Sequence, residues 1–96
     1  MVTGDADPGS GLAEAAEGFD GRVVRYDAGW MGCDRMPMVQ RRQLQAVDVG
    51  DIVEFVVYDP SSKEDVPSFA RMLGHRVRWI KEQDDGALLI AVERMR

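Results

Sequence analysis

The chain holds one cysteine and one histidine, and the chemistry open to it turns on where they fall. Cys33 follows Gly29 and Gly32 in a loop and immediately precedes a stretch with helical periodicity. A thiol at a helix start meets backbone N–H groups and the positive end of the helix dipole, and both favour the nucleophilic thiolate. Asp34 opposes that ionisation and Arg35 favours it, and the balance between them is left open by the sequence; these two, with Met31 and Met36, are the expected thiol environment. A free cysteine is otherwise a small core hydrophobe, so Cys33 is either a presented nucleophile or a buried filler. Met31, Met36 and Met38 bear the same ambiguity: gap-filling core, or a soft apolar rim on which a protein could dock.

Other chemistries lack their residues. His75 directly follows Gly74, after the second predicted helix, whereas Cys33 precedes the first. The two do not assemble into a catalytic pair, and His75 reads as a hydrogen-bonded turn residue. One cysteine and one histidine are too few for a Cys/His zinc site. A thiol-redox enzyme would need a resolving cysteine. Neither a GxxxxGK[ST] nor a GxGxxG phosphate loop occurs, so no cofactor is expected. Asp84 and Asp85 belong to a turn, and Arg41 with Arg42 forms a small basic patch on a solvated helix face, open to an acidic partner.

The elements that must position Cys33 are legible in turn. Residues 1–20 carry Asp5, Asp7, Glu14, Glu17 and Asp20 with no lysine or arginine, and are rich in glycine and alanine. Residues 1–21 are therefore expected to be a disordered acidic leader, with at most a short helical turn over Leu12–Glu17. The remaining 12 acidic side chains balance all 12 basic ones, so residues 22–96 are expected to form one neutral domain. A neutral domain argues against direct nucleic-acid binding, which needs a basic surface. No apolar run nears the ~18–20 residues that span a bilayer, and no secretory signal pattern opens the chain. With a single cysteine that can form no internal disulfide, the expectation is a cytoplasmic protein that makes no use of membranes.

Within residues 22–96, Arg22–Tyr26 is a β-branched and aromatic strand, and Asp27–Gly32 a loop. Met36, Val39, Gln40, Gln43, Leu44 and Val47 share one helix face, with Asp34 as N-cap, Pro37 in the first turn and Val49-Gly50 as the stop. Ile52–Tyr58 reads as an interior strand. Ser62 and Asp65 resemble a capping box opening a second helix, whose face is Val66, Phe69, Ala70 and Leu73. Pro67 falls in its first turn or just beyond, and Gly74 stops it. Val77 and Trp79 alternate with Arg76, Arg78 and Lys81 on a half-exposed strand, and a turn over Gln83–Gly86 leads into the last strand, Ala87–Val92. The order β-α-β-α-β-β predicts an α/β two-layer sandwich, with a four-stranded mixed sheet and two helices on one face.

The ordered part of this chain resembles the TusA/SirA-like sulfur carriers over roughly residues 22–93. The resemblance rests on a strand ending in Asp27, the Gly-containing loop, Cys33 and its helix, then Val49-Gly50-Asp51, the strand ending in Asp59-Pro60, and Ser62–Pro67 with Ala70 and Gly74-His75. The family's Cys-Pro-x-Pro hallmark here reads Cys33-Asp34-Arg35-Met36, with Pro37 one position late. The resemblance implies a persulfide on Cys33, loaded by a cysteine desulfurase or a rhodanese-like donor and passed to a downstream sulfur-acceptor protein. The destinations it implies include tRNA thiolation, molybdenum-cofactor enzymes and sulfur oxidation. The competing expectation is a non-catalytic interaction or regulatory module that retains the fold.

Overall fold

The computed structural model describes residues 21–32 and 34–96. The acidic leader, its helical turn and the placement of Cys33 itself lie outside the described residues. Among those described, the elements are β1 (Val23–Gly29), α1 (Met36–Gln45), β2 (Ile52–Val57), α2 (Ser62–Met72), β3 (Arg76–Glu82) and β4 (Leu88–Glu93). The sheet order is β1-β2-β4-β3. Strands β1 and β2 run parallel, with Tyr26 opposite Phe55, and β4 pairs antiparallel with both β2 and β3. This is the predicted α+β sandwich with its mixed sheet.

Strand alternation sends Val24, Tyr26, Val53, Phe55, Val57, Leu88, Ile90, Val92 and Val77 to one face. There they meet Met36, Leu44 and Val47 from α1 and its exit, and Val66 and Ala70 from α2. Tyr26 and Phe55 pack edge to face with centroids 6.1 Å apart. Every residue of β2 is buried, so this central strand is covered on both of its faces. Its Glu54 is fully buried on the face away from this core, and accepts from Arg25 Nε at 2.9 Å and Trp79 Nε1 at 2.8 Å.

Several local expectations give way to specific contacts. The first strand continues through Asp27–Gly29, because Gly29 pairs with Val57 across a bulge, so the loop begins only at Trp30. Helix α1 ends at Gln45, four residues before Val49. The Arg94 guanidinium donates to the carbonyls of Gln45 and Val47, covering the groups a helix end leaves exposed. Asp48–Asp51 then closes its own turn, Asp51 N–H donating to Asp48 O at 3.0 Å, with Gly50 at φ +97°. The Ser62–Asp65 capping box does not form. Ser61 is the N-cap, and Asp59 Oδ1 accepts from both its N–H and its hydroxyl at 3.0 Å. Pro67 falls just beyond the first turn of α2.

The end of α2 follows the sequence closely. Gly74 at φ +87° lets its N–H reach Arg71 O (3.0 Å) and lets His75 N–H reach Ala70 O (2.9 Å), the paired bonds of a Schellman stop. On β3, Val77 and Trp79 do not share a face. A bulge between them leaves Val77 in the helix-side core and turns Trp79 to the opposite face, onto Glu54.

Candidate functional site

The backbone around the cysteine is built from the C-terminal end of β1 and the start of α1. Gly29, at φ +59°, donates its N–H to Asp27 Oδ1 at 2.9 Å, and its carbonyl accepts from Tyr58 N–H at 3.0 Å. Met31 N–H then closes a turn onto Ala28 O at 3.1 Å. Beyond it, Gly32 O accepts from Arg35 N–H at 3.2 Å and Met36 N–H at 3.0 Å, so α1 grows directly from the glycine that precedes Cys33.

Asp34 is not the N-cap. Arg35 takes that position with no side-chain cap bond, and Asp34 Oδ1 folds back over Gly32, 3.1 Å from where a β-carbon would stand. The reason lies in the turn: the Gly32 carbonyl already satisfies the N–H groups of Arg35 and Met36, and Pro37, at the first or second helical position, has none to satisfy. Asp34 and Arg35 are both exposed.

The three methionines part company. Met36 is a core residue at 2% exposure, Met31 packs half-buried against the same core, and Met38 is 67% exposed. Met36 still lines one wall of an apolar cleft of about 260 Å³ between α1 and α2, with Pro37, Gln40, Phe69 and the exposed Met72. Gln40 is fully buried there. Its Nε2 donates to Val66 O at 3.1 Å, linking the two helices, while its Oε1 has no partner among the described residues. The cleft thus opens beside the first turn of α1, the turn that follows Cys33 in the chain.

His75 stands where a turn histidine should. Its Nδ1 accepts from Met95 N–H at 3.1 Å. Burial, followed by the Arg94 and Arg96 charges, holds its pKa below the ordinary histidine value. Asp51 is the other shifted group. Burial works against its charge, but N–H bonds from Arg22 and Asp48, both 3.1 Å, and the Arg22 guanidinium at 3.2 Å outweigh it and lower the pKa. Both serve the scaffold. No cluster of three or more metal-ligating side chains occurs among the described residues, and no described helix is long and apolar enough to cross a membrane.

Sequence reasoning missed two side-chain groups. Glu54 with Arg25 and Trp79 is one, signalled only by a lone charge inside an apolar strand, which must find a partner when buried. The other is Trp30, which lies three residues before Cys33 and stacks on Tyr58 with centroids 5.8 Å apart and planes at 26°. A tryptophan among glycines was its only trace in the sequence.

Comparison with known proteins bears on the same region. The family described as Sulfurtransferase TusA matches residues 36–94, which is both helices and the last three strands, beginning just after Cys33. A protein of Archaeoglobus fulgidus named as a candidate sulfur carrier protein is 32% identical over 63 residues, covering 66% of this chain and 86% of its own. The sulfur carrier protein TusA of Pseudomonas putida is 25% identical over 64 residues, covering 67% of this chain and 78% of its own.

Proposed function

The chain belongs to the Sulfurtransferase TusA family, and on that premise we propose that Cys33 accepts sulfane sulfur as a persulfide and hands it to a relay protein. The observation that carries this reading is the family match, which starts at the helix whose head Cys33 precedes. The chemistry needs one thiol and no cofactor. The Cys33 thiolate attacks the outer sulfur of a donor persulfide; a new S–S bond forms, the donor S–S bond breaks, and the donor leaves as its thiolate. The product is Cys33–S–SH. An acceptor thiolate then attacks that outer sulfur, taking it with its proton and releasing the Cys33 thiolate. Both steps depend on thiolate character, which a helix start favours.

The donor is a cysteine desulfurase or a rhodanese-like protein, and the acceptor a second sulfur-handling protein in the cytoplasm, with tRNA thiolation one end use the resemblance implies. The apolar cleft and the exposed Met38 and Met72 give such proteins something to dock on beside α1.

Intact-mass measurement after incubation with a cysteine desulfurase, pyridoxal phosphate and cysteine tests the proposal. Wild type should gain about 32 Da, reversed by dithiothreitol, and Cys33→Ser should gain nothing. No adduct from several donors, with slow alkylation of Cys33, would overturn it in favour of a non-catalytic interaction module. The absence of the motif prolines at Asp34 and Met36 is the observation that keeps that second reading alive.

A further inference from the structure

We propose that the stacked rings of Trp30 and Tyr58, flanked by the carboxylates of Asp27 and Asp59, seat an arginine side chain of the protein that exchanges sulfur with Cys33; this rests on the function proposed above. Trp30 is 74% exposed, a large apolar surface left in water three residues from the thiol. It is nonetheless held in place. The turn closed by Met31 N–H on Ala28 O fixes its backbone, and the Gly29 O to Tyr58 N–H bond brings Tyr58 beneath it. Two rings stacked at 5.8 Å present one flat outer face on the indole.

Two carboxylates adjoin that pair in the chain, and Lys63, which lines a cleft with Tyr58, is already paired with Glu82 at 3.7 Å. Asp27 bonds locally to Gly29 N–H, and Asp59, next to Tyr58, bonds to Ser61. Neither joins an ion pair among the described residues. Asp34 is exposed nearby in the chain, and Arg35 is the single basic residue between Asp27 and Gln40. An indole face is the best aromatic partner for a cation, and a guanidinium lies flat on it while its edge N–H groups reach carboxylates. A lysine would meet the ring as a point charge without the planar fit, and an acidic or phosphate-bearing partner would be repelled.

The test reads disulfide exchange at Cys33 in the full-length chain. The probes are two short peptide disulfides, one with arginine two residues from its cysteine, the other with citrulline, its neutral isostere. Wild type should react about five- to ten-fold faster with the arginine peptide, the size expected of a cation–π contact helped by a carboxylate. The preference should fall below about two-fold in Trp30→Ala and shrink in Tyr58→Leu and Asp27→Asn. Rates with neutral 2-hydroxyethyl disulfide normalise each variant for intrinsic thiol reactivity, and a thermal melt shows that each is folded at the assay temperature. Equal rates for the two peptides with wild type would overturn the proposal, as would a preference that survives Trp30→Ala. Persulfide loading of the same preparations separates the two readings. Normal loading without an arginine preference overturns this subsite alone, and a preference without loading by any donor keeps the subsite and overturns the sulfur-carrier reading.

Discussion

Replacing Glu54 by glutamine should cost the fold about 2 kcal/mol without touching sulfur chemistry. Glu54 is fully buried and holds Arg25 through Nε at 2.9 Å and Nη2 at 2.8 Å, and Trp79 Nε1 at 2.8 Å. Glutamine keeps one carbonyl oxygen, so the indole bond can survive. What it loses is the charge that faces the guanidinium, and hydrogen bonds to charged groups contribute about 1.5–3 kcal/mol. The Arg25 side chain is 30% exposed, so solvent screens part of that and the lower half of the range applies. In a domain of this size, 1 kcal/mol moves Tm by about 4–8 °C, so the melt should fall by roughly 8–16 °C. Glu54→Leu should be worse, about 3 kcal/mol or more, because it strands the guanidinium and the indole N–H together. Adding Arg25→Leu should restore part of the loss, and the double-mutant cycle should return a coupling of about 1–2 kcal/mol. Urea unfolding followed by circular dichroism measures all five proteins: wild type, Glu54→Gln, Glu54→Leu, Arg25→Leu and the Glu54→Leu/Arg25→Leu double variant. A Glu54→Gln variant within about 0.5 kcal/mol of wild type would refute the argument. So would a cycle with no coupling. Folded Glu54→Gln should still load sulfur on Cys33; loss of loading would make the carboxylate more than scaffold.

Two further outcomes follow from the geometry. Asp51 has a depressed pKa, so its stabilising contribution is present above the ordinary carboxylate value and is lost as pH falls through the folded pKa; acid unfolding of Asp51→Asn should show a shallower pH dependence below about pH 4 than wild type. Gly74→Ala should cost about 1–2 kcal/mol in urea unfolding, because the residue sits at φ +87° and a β-carbon there would crowd Arg96 at 2.7–2.8 Å, whereas Gly32→Ala should be far milder.

The element order was legible because each element carries its own period. The face Met36, Gln40 and Leu44 of α1, the face Val66 and Ala70 of α2, and the apolar run of β2 are all buried as their spacing demands. What was not legible came from residues distant in sequence. Arg94 meets the end of α1 at Gln45 from 49 residues away and its exit at Val47 from 47, and those contacts, with the Asp48–Asp51 turn, go with a helix that ends before Gly50. After the β3 bulge, the Trp79 indole meets the carboxylate of Glu54, 25 residues earlier in the chain. A period-2 pattern cannot announce the residue at which the period slips.

The site divides in the same way. That a cysteine precedes a helix was plain from the chain; how the helix starts without the family's two prolines was not. The resemblance sets rigid rings at the second and fourth motif positions, where this chain has Asp34 and Met36. The structure replaces that rigidity by other means. The Gly32 carbonyl takes two successive N–H groups, Pro37 enters where a missing N–H costs nothing, and Met36 is driven into the core at 2% exposure. A buried methionine anchors the helix start from the core side, and Asp34 and Arg35, the two residues after Cys33 in the chain, are exposed. The residues on either side of Cys33 in the chain are therefore charged and aromatic, with Trp30 three positions before it and Arg35 two after it. Partner choice should follow from those residues. A partner that reads the motif rings would meet Asp34 and Met36 at their positions in this chain, which is why the arginine test at Trp30 bears on partner choice.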